Sequence, residues 1–187
     1  MAVKTEKIQY NQLPRPTFRW MKVNHLELAG DARAAPAYTP EERHDGDAAV
    51  TFYEGNQMPD LGDFQGSNAE ELQKALNQAN SGCAVSVGEN QKGSVHLKYS
   101  LSEAMPQLTA QLKIEAAAHS DLTVYLEFDG SADDGSVNFL TYVKTGEGAH
   151  VKVSKVQLNG ENVRHVEHRY GDAGKESTID YVSAELG

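Results

Sequence analysis

The second half of the chain alternates apolar and polar residues with a period of two, in seven runs of nearly even spacing. The runs begin near positions 95, 108, 122, 137, 149, 163 and 178. Strict alternation predicts β-strands that each have one buried and one solvated face. Strands at such even spacing are typical of a β-sandwich, a β-barrel or a coiled β-solenoid.

Turn chemistry leaves hairpin and solenoid architectures open. Two-residue hairpin loops favour Asp-Gly and Asn-Gly, and the chain contains Asp45-Gly46, Asp129-Gly130, Asp134-Gly135 and Asn159-Gly160. On base rates alone, a hairpin-connected sandwich is the favoured architecture. The alternation breaks at Ser154-Lys155, where the apolar positions shift by one to Val156 and Leu158. Such a shift of face predicts a β-bulge or a corner.

A mixed region over positions 1–82 precedes the strands. Residues 30–66 predict loops with short elements, including a strand over residues 49–53. Ser67 is a suitable N-cap with Glu70 as its capping-box partner, apolar residues follow at helical spacing, and Gly82 suits a helix end. The pattern predicts a helix over about 68–80. We therefore expect an N-terminal region of residues 1–82 and a β-rich core of residues 83–187.

Charge and cysteine content restrict the compartment and the partners. The 187 residues carry a formal net charge of −10, which disfavours binding to nucleic acid. The basic segment at positions 1–22 is better interpreted as solvated chain than as an anion-binding arm. The sequence has neither a secretory signal nor an apolar run long enough to span a membrane. With a single cysteine, the chain is expected in the reducing cytoplasm, without membrane association.

Several segments, taken in order, resemble one known family. The stretch from Asn138 to Leu158, the following Asn159-Gly-Glu-Asn-Val-Arg-His-Val-Glu-His and the final Lys175–Gly187 resemble the core of the SufB/SufD family of iron–sulfur cluster assembly proteins. Leu13–Asn24 is similar to a SufD-like N-terminus, and residues 70–101 also resemble the family. Residues 30–69 have no counterpart in this resemblance.

The resemblance implies a right-handed parallel β-helix, which accounts for the even spacing and replaces the sandwich as the expected fold. Compared with family members, the chain stops before further coils and a C-terminal helical segment. We expect a fragment, a short SufD-like paralogue or a chain whose open end binds a partner, and a homodimer through that end is one possibility.

The resemblance also implies a function. It predicts a non-enzymatic, SufD-like scaffold that acts with a SufB-like subunit and a SufC-like ATPase. No cofactor is expected on the isolated chain, and an iron–sulfur cluster is expected only transiently in the complex. Some complexes of the family are thought to carry a flavin, but no residue of this chain can be assigned to it.

Three residues are candidate metal ligands, and each has a simpler structural interpretation. Cys83 is the only thiol, and clusters generally need several thiolates, so a buried structural cysteine is favoured. His165 and His168 lie three residues apart, which places them on opposite faces of a strand unless a corner intervenes. A polar strand is therefore favoured over a metal site. The sequence offers no catalytic residues.

Two other classes of function stay open at this stage. A β-solenoid enzyme, carbohydrate-active or acyl-transferring, would have clustered carboxylates or a catalytic histidine on one face. The acidic residues of this chain are spread through turns instead, and motifs for nucleophilic serine, phosphate-binding loops and zinc proteases are missing from the sequence. A plain β-sandwich binding module is the third possibility if the family resemblance fails.

Overall fold

The structure, a computed structural model, describes residues 35–54, 57–66 and 70–187, together with the backbone of residues 7–10 and 26–29. The expected N-cap at Ser67 and the whole SufD-like segment Leu13–Asn24 lie outside the described residues. In the described part, no helix is long and apolar enough to cross a membrane.

The described residues are mainly β. The strands are β1 (Lys7–Tyr10), β2 (Leu26–Ala29), β3 (Glu41–Gly46), β4 (Ala49–Tyr53), β5 (Ser81–Val87), β6 (Lys92–Leu101), β7 (Gln107–Ala116), β8 (Asp121–Gly130), β9 (Gly135–Thr145), β10 (His150–Gln157), β11 (Val163–Ala173) and β12 (Thr178–Glu185). One helix, α1 (Glu70–Asn77), lies between β4 and β5. The seven alternating runs correspond to β6 through β12, within three residues at their starts.

Strands β5 to β12 wind into a β-solenoid of about four coils. Each coil places one strand in each of two sheets, ordered β12-β10-β8-β6-β3 and β11-β9-β7-β5-β4. Pairing between successive coils is parallel throughout. The solenoid prediction is therefore confirmed, and the hairpin-sandwich alternative is wrong. Asp129-Gly130 and Asn159-Gly160 lie at solenoid corners rather than in hairpins.

The core is built by stacking residues of equal position in successive coils. Leu97 pairs with Leu126, and Tyr99 pairs with Phe128, so residues of similar type stack on each other in successive coils. Tyr99, Phe128 and Phe139 form a cluster with ring centroids 5.0 to 5.3 Å apart. This stacking removes apolar surface from water in every coil, which is the main stabilising contribution in a solenoid.

One end of the solenoid is covered by two consecutive strands that lie in different sheets. Strand β3 pairs antiparallel with β6, and β4 pairs antiparallel with β5, so that each sheet gains one antiparallel strand. The turn uses Gly46 at a φ of 72°, and a Cβ at that position would lie 2.5 Å from the carbonyl oxygen of Lys92. The sequence-based strand over residues 49–53 is β4 itself.

Helix α1 packs on the outer face of the sheet that contains β7 and β9. Leu72 and Ala75 are fully buried there against Leu140. Gln111 donates from Nε2 to the carbonyls of Ala75 and Leu76, which satisfies acceptors at the helix end. The helix ends at Asn77, before the predicted end near residue 80, and Gly82 lies in β5 instead.

The predicted bulge at Ser154-Lys155 is wrong. Strand β10 pairs in continuous register with β8 on one side and with β12 on the other. Because the period of two is unbroken, Val156 and Leu158 are on the exposed side, and Lys155 occupies the inward position. An inward lysine at this point changes the character of the core.

Candidate functional site

Inward-facing residues that pair from one coil to the next form a column through the solenoid. Along one such column the side chains change from apolar to charged. Leu97 in β6 pairs with Leu126 in β8, and Leu126 pairs with Lys155 in β10. All three are buried, and the Lys155 side chain is only 5% exposed. A charged group so far from water is stable only with counter-charges and hydrogen bonds around it.

Neighbouring columns make the same change. Phe139 in β9 pairs with Glu167 in β11, and Phe128 in β8 pairs with Gln157 in β10. The polar side chains of the last two coils line a cavity of about 460 Å³ that is largely open to solvent. We call this group the end cluster; its members are Lys155, Gln157, His165, Glu167, Arg169 and Glu185.

Glu167 is the central acid of the end cluster. Its Oε1 accepts a hydrogen bond from Lys155 Nζ at 2.5 Å, and its Oε2 accepts one from Arg169 Nε at 2.7 Å. Burial alone would raise the pKa of Glu167, but the contacts with His165 and Lys155 overcome that effect and lower the pKa to about 2. Glu167 therefore stays ionised as the counter-charge of the buried lysine.

Lys155 has two further acceptors. Its Nζ donates to Gln157 Oε1 and to Glu185 Oε1, each at 3.1 Å. Glu185 differs from the other acid, Glu167, because its side chain is 62% exposed, compared with 14% for Glu167. The buried ammonium is thus held from the protein side by Glu167 and from the solvent side by Glu185.

His165 faces the interior, as the alternation predicts for residues 165 and 167 on one face of a strand. Its side chain is 5% exposed, and its ring meets Phe128 edge-on, with centroids 4.8 Å apart. Nε2 lies 2.9 Å from Glu167 Oε1 without the alignment of a hydrogen bond, and Nδ1 lies 3.4 Å from Asn159 Oδ1. A protonated His165 ring at this distance would form an ion pair with Glu167.

His168 lies on the opposite face of the same strand. Strand β11 runs unbroken from Val163 to Ala173, so no corner brings His168 to His165. His168 lies on the side of the sheet that carries α1, where Glu71 is the charge that acts on it most strongly. Burial lowers the pKa of His168, which therefore favours the neutral imidazole.

Cys83 is in the first coil, three coils away from β11. It pairs with Phe52 on one side and Leu112 on the other, and it is fully buried. Burial, with a smaller contribution from the charge of Glu42, raises the pKa of the thiol to about 12. The thiolate, which is the form that binds metals, is therefore strongly disfavoured in this fold.

The three predicted metal candidates are thus at three separate places. Among residues 35–54, 57–66 and 70–187, no group of three or more His, Cys, Asp or Glu side chains is placed to hold a metal ion. Metal binding by Cys83, His165 or His168 stays a prediction. Lys155 and Glu167, the central pair of the end cluster, were missed, although the inward lysine was visible as the break in alternation at Ser154-Lys155.

Comparison with known families identifies the segment that holds the end cluster. Residues 99–187 match a family model described as SUF system FeS cluster assembly, SufBD core domain. This segment belongs to the SufB/SufD family. Comparisons with curated proteins and with solved structures gave no match.

The SufBD core begins within β6 and continues to the end of the chain. It therefore contains every residue of the end cluster and also His168, whereas Cys83 precedes it. The family supplies scaffold-type components of iron–sulfur cluster assembly that work within the Suf system. The resemblance drawn from the order of sequence segments is confirmed at this level.

Proposed function

We propose that the chain is a SufD-like scaffold subunit of iron–sulfur cluster assembly, without catalytic activity of its own. The observation that carries the proposal is the match of residues 99–187 to the SufBD core. The SufD-like assignment is supported by the similarity of Leu13–Asn24 to SufD N-termini. It is also supported by Cys83, since a single thiol with a raised pKa is a poor ligand for a cluster.

The proposed partners are a SufB-like subunit and a SufC-like ATPase. We propose that the cluster is cargo of this complex and resides there transiently. The chain itself is proposed to act in the cytoplasm, where reducing conditions keep Cys83 a free thiol. Nucleic acid is not proposed as a partner, because the net charge is −10.

The last coil has two features that favour protein partners. Strands β11 and β12 are the terminal strands of their sheets among the described residues, and terminal strands present unpaired backbone groups. The outer face near β12 also exposes apolar side chains, a feature of interaction surfaces. These side chains are Tyr125, Val156, Leu158, Val182 and Leu186. A second copy of the chain is the alternative occupant of this end.

Co-expression with SufB-like and SufC-like proteins of the same source tests the proposal. We expect the three chains to purify together. Val182→Lys, which places a charge in the exposed apolar group, should weaken association about tenfold or more by removing apolar contact. Ser94→Lys on the outer face of β6 is the matched control and should have no such effect.

The results of this experiment distinguish a Suf complex from a homodimer. A chain that stays monomeric and stable in the presence of both Suf proteins contradicts the scaffold proposal. A chain that self-associates through the same face, with Val182→Lys restoring the monomer and neither Suf protein binding, favours the homodimer instead.

A further inference from the structure

The end cluster already holds one solvent-exposed carboxylate. Glu185 is 62% exposed, yet its Oε1 lies 3.1 Å from the ammonium of Lys155, whose side chain is 5% exposed. A surface acid thus satisfies a buried cation from the solvent side. Between them and the other cluster residues lies the cavity of about 460 Å³.

When Glu185 is not in contact with Lys155, the remaining charges of the end cluster determine which ligands the cavity attracts. Lys155 and Arg169 then face the single carboxylate of Glu167, so the cluster carries a net charge of about +1, or more when His165 is protonated. One N–H of Lys155 would also lose its acceptor. A buried donor without an acceptor is costly, and a ligand that supplies one is correspondingly favoured.

We propose that this cavity is a binding site for a small carboxylate ligand, which enters by displacing Glu185 from Lys155. The cavity volume lies within the range of about 300–1,000 Å³ that is common for small-molecule sites. The site would read the ligand through the Lys155 ammonium and the cation of Arg169, since a carboxylate accepts charge-assisted hydrogen bonds from both. This inference does not depend on the Suf partners.

Glu167 is not the group that a ligand displaces. It is 14% exposed and is held by hydrogen bonds from both Lys155 and Arg169. Glu185 has one contact in the cluster, with Lys155, and lies at the end of β12. The weaker and more exposed carboxylate is therefore the one that exchanges.

Titration of the full chain with sodium acetate, followed by ¹H–¹⁵N correlation spectra, tests the site. Sodium chloride at equal ionic strength is the reference. In Glu185→Gln the internal competitor loses its charge, so we expect acetate to bind about tenfold more tightly, with shifts centred on Lys155, His165 and Arg169. Asp180→Asn removes one exposed acidic charge from the same strand and should leave the affinity within about twofold.

Two results would overturn the inference. One is the lack of any saturable acetate-specific shift in Glu185→Gln. The other is an equal gain for Asp180→Asn, which would reduce the effect to general charge. The double variant Lys155→Met/Glu167→Gln removes the receiving cation and its counter-charge together, and it should lose acetate binding while its circular dichroism stays native.

A second probe identifies the source of the carboxylate. N-acetyl-glutamate amide presents the same group as an acidic side chain of a protein. Binding tighter than acetate assigns the site to a partner's acidic residue, whereas binding equal to or weaker than acetate assigns it to a free small carboxylate.

Discussion

The two ends of the solenoid have the same arrangement of strands but different inward-facing side chains. At the end covered by β3 and β4, an inward position of β6 is Leu97, fully buried among other apolar side chains. At the other end, the same column holds Lys155, which is equally buried but surrounded by carboxylates and an amide. We infer that strand pairing determines the shape of each coil, whereas the inward side chains determine whether the interior of the coil is an apolar core or a polar site.

The largest expected effect is at the apolar end. Leu97→Ala leaves a cavity that the stacked coils cannot close, so the free energy of unfolding should fall by about 4 kcal/mol. Thr123→Ala on the outer face of β8 is the control and should cost less than about 1 kcal/mol. Urea unfolding followed by far-UV circular dichroism measures both. Equal effects of the two changes would contradict the difference between inner and outer faces.

At the polar end, the same comparison is made by Lys155→Met, which keeps the volume and removes the charge. Glu167 then keeps only Arg169 and His165 as neighbours, and we expect a loss of about 3 kcal/mol in unfolding free energy. Lys155→Met/Glu167→Gln should be less destabilised than the single variant, because the buried carboxylate that lost its lysine is replaced by a neutral amide. If the double variant is the less stable of the two, the pair is not coupled as described.

The smallest effect concerns pH. Glu167 has a pKa of about 2 in the folded protein, below its usual value of 4.5, so its ionised form stabilises the fold. That contribution is present above about pH 5 and is lost as the pH falls toward 2; allowing for solvent screening, it amounts to about 2 kcal/mol. Unfolding measured between pH 6 and 3 should therefore show a flatter pH dependence for Glu167→Gln than for the parent. Parallel curves would mean that Glu167 is not held ionised by its neighbours.

Much of the fold was predictable because the solenoid repeats a local rule. Strands β6, β8 and β10 alternate between buried and more exposed positions, and that period is visible in the sequence of each strand. Parallel pairing was not visible in the same way, because Asp-Gly turns suit hairpins and solenoid corners alike. The choice between a hairpin sandwich and a solenoid depended on the order of the family-like segments. The end of helix α1 was equally hidden, because its last carbonyls accept hydrogen bonds from Gln111, a residue 36 positions from Ala75.

The end cluster was harder to predict, because its residues come from three strands. Glu167 is 12 positions from Lys155 along the chain, and Glu185 is 30 positions from it. Only the coiling brings them together. Lys155 interrupts an apolar column, and a lysine there was interpreted as a change of face, since an outward lysine is far commoner than a buried one. Aligning β10 with β8, one coil earlier, would have shown Lys155 beneath Leu126.

The strands that precede the solenoid also limit how one of its sheets can join another chain. Strand β3, a terminal strand of its sheet among the described residues, carries five polar or charged residues in sequence, Glu41 to Asp45, and such an edge resists pairing with another chain. In that sheet, edge-to-edge association is therefore expected at β12, the opposite terminal strand, rather than at β3.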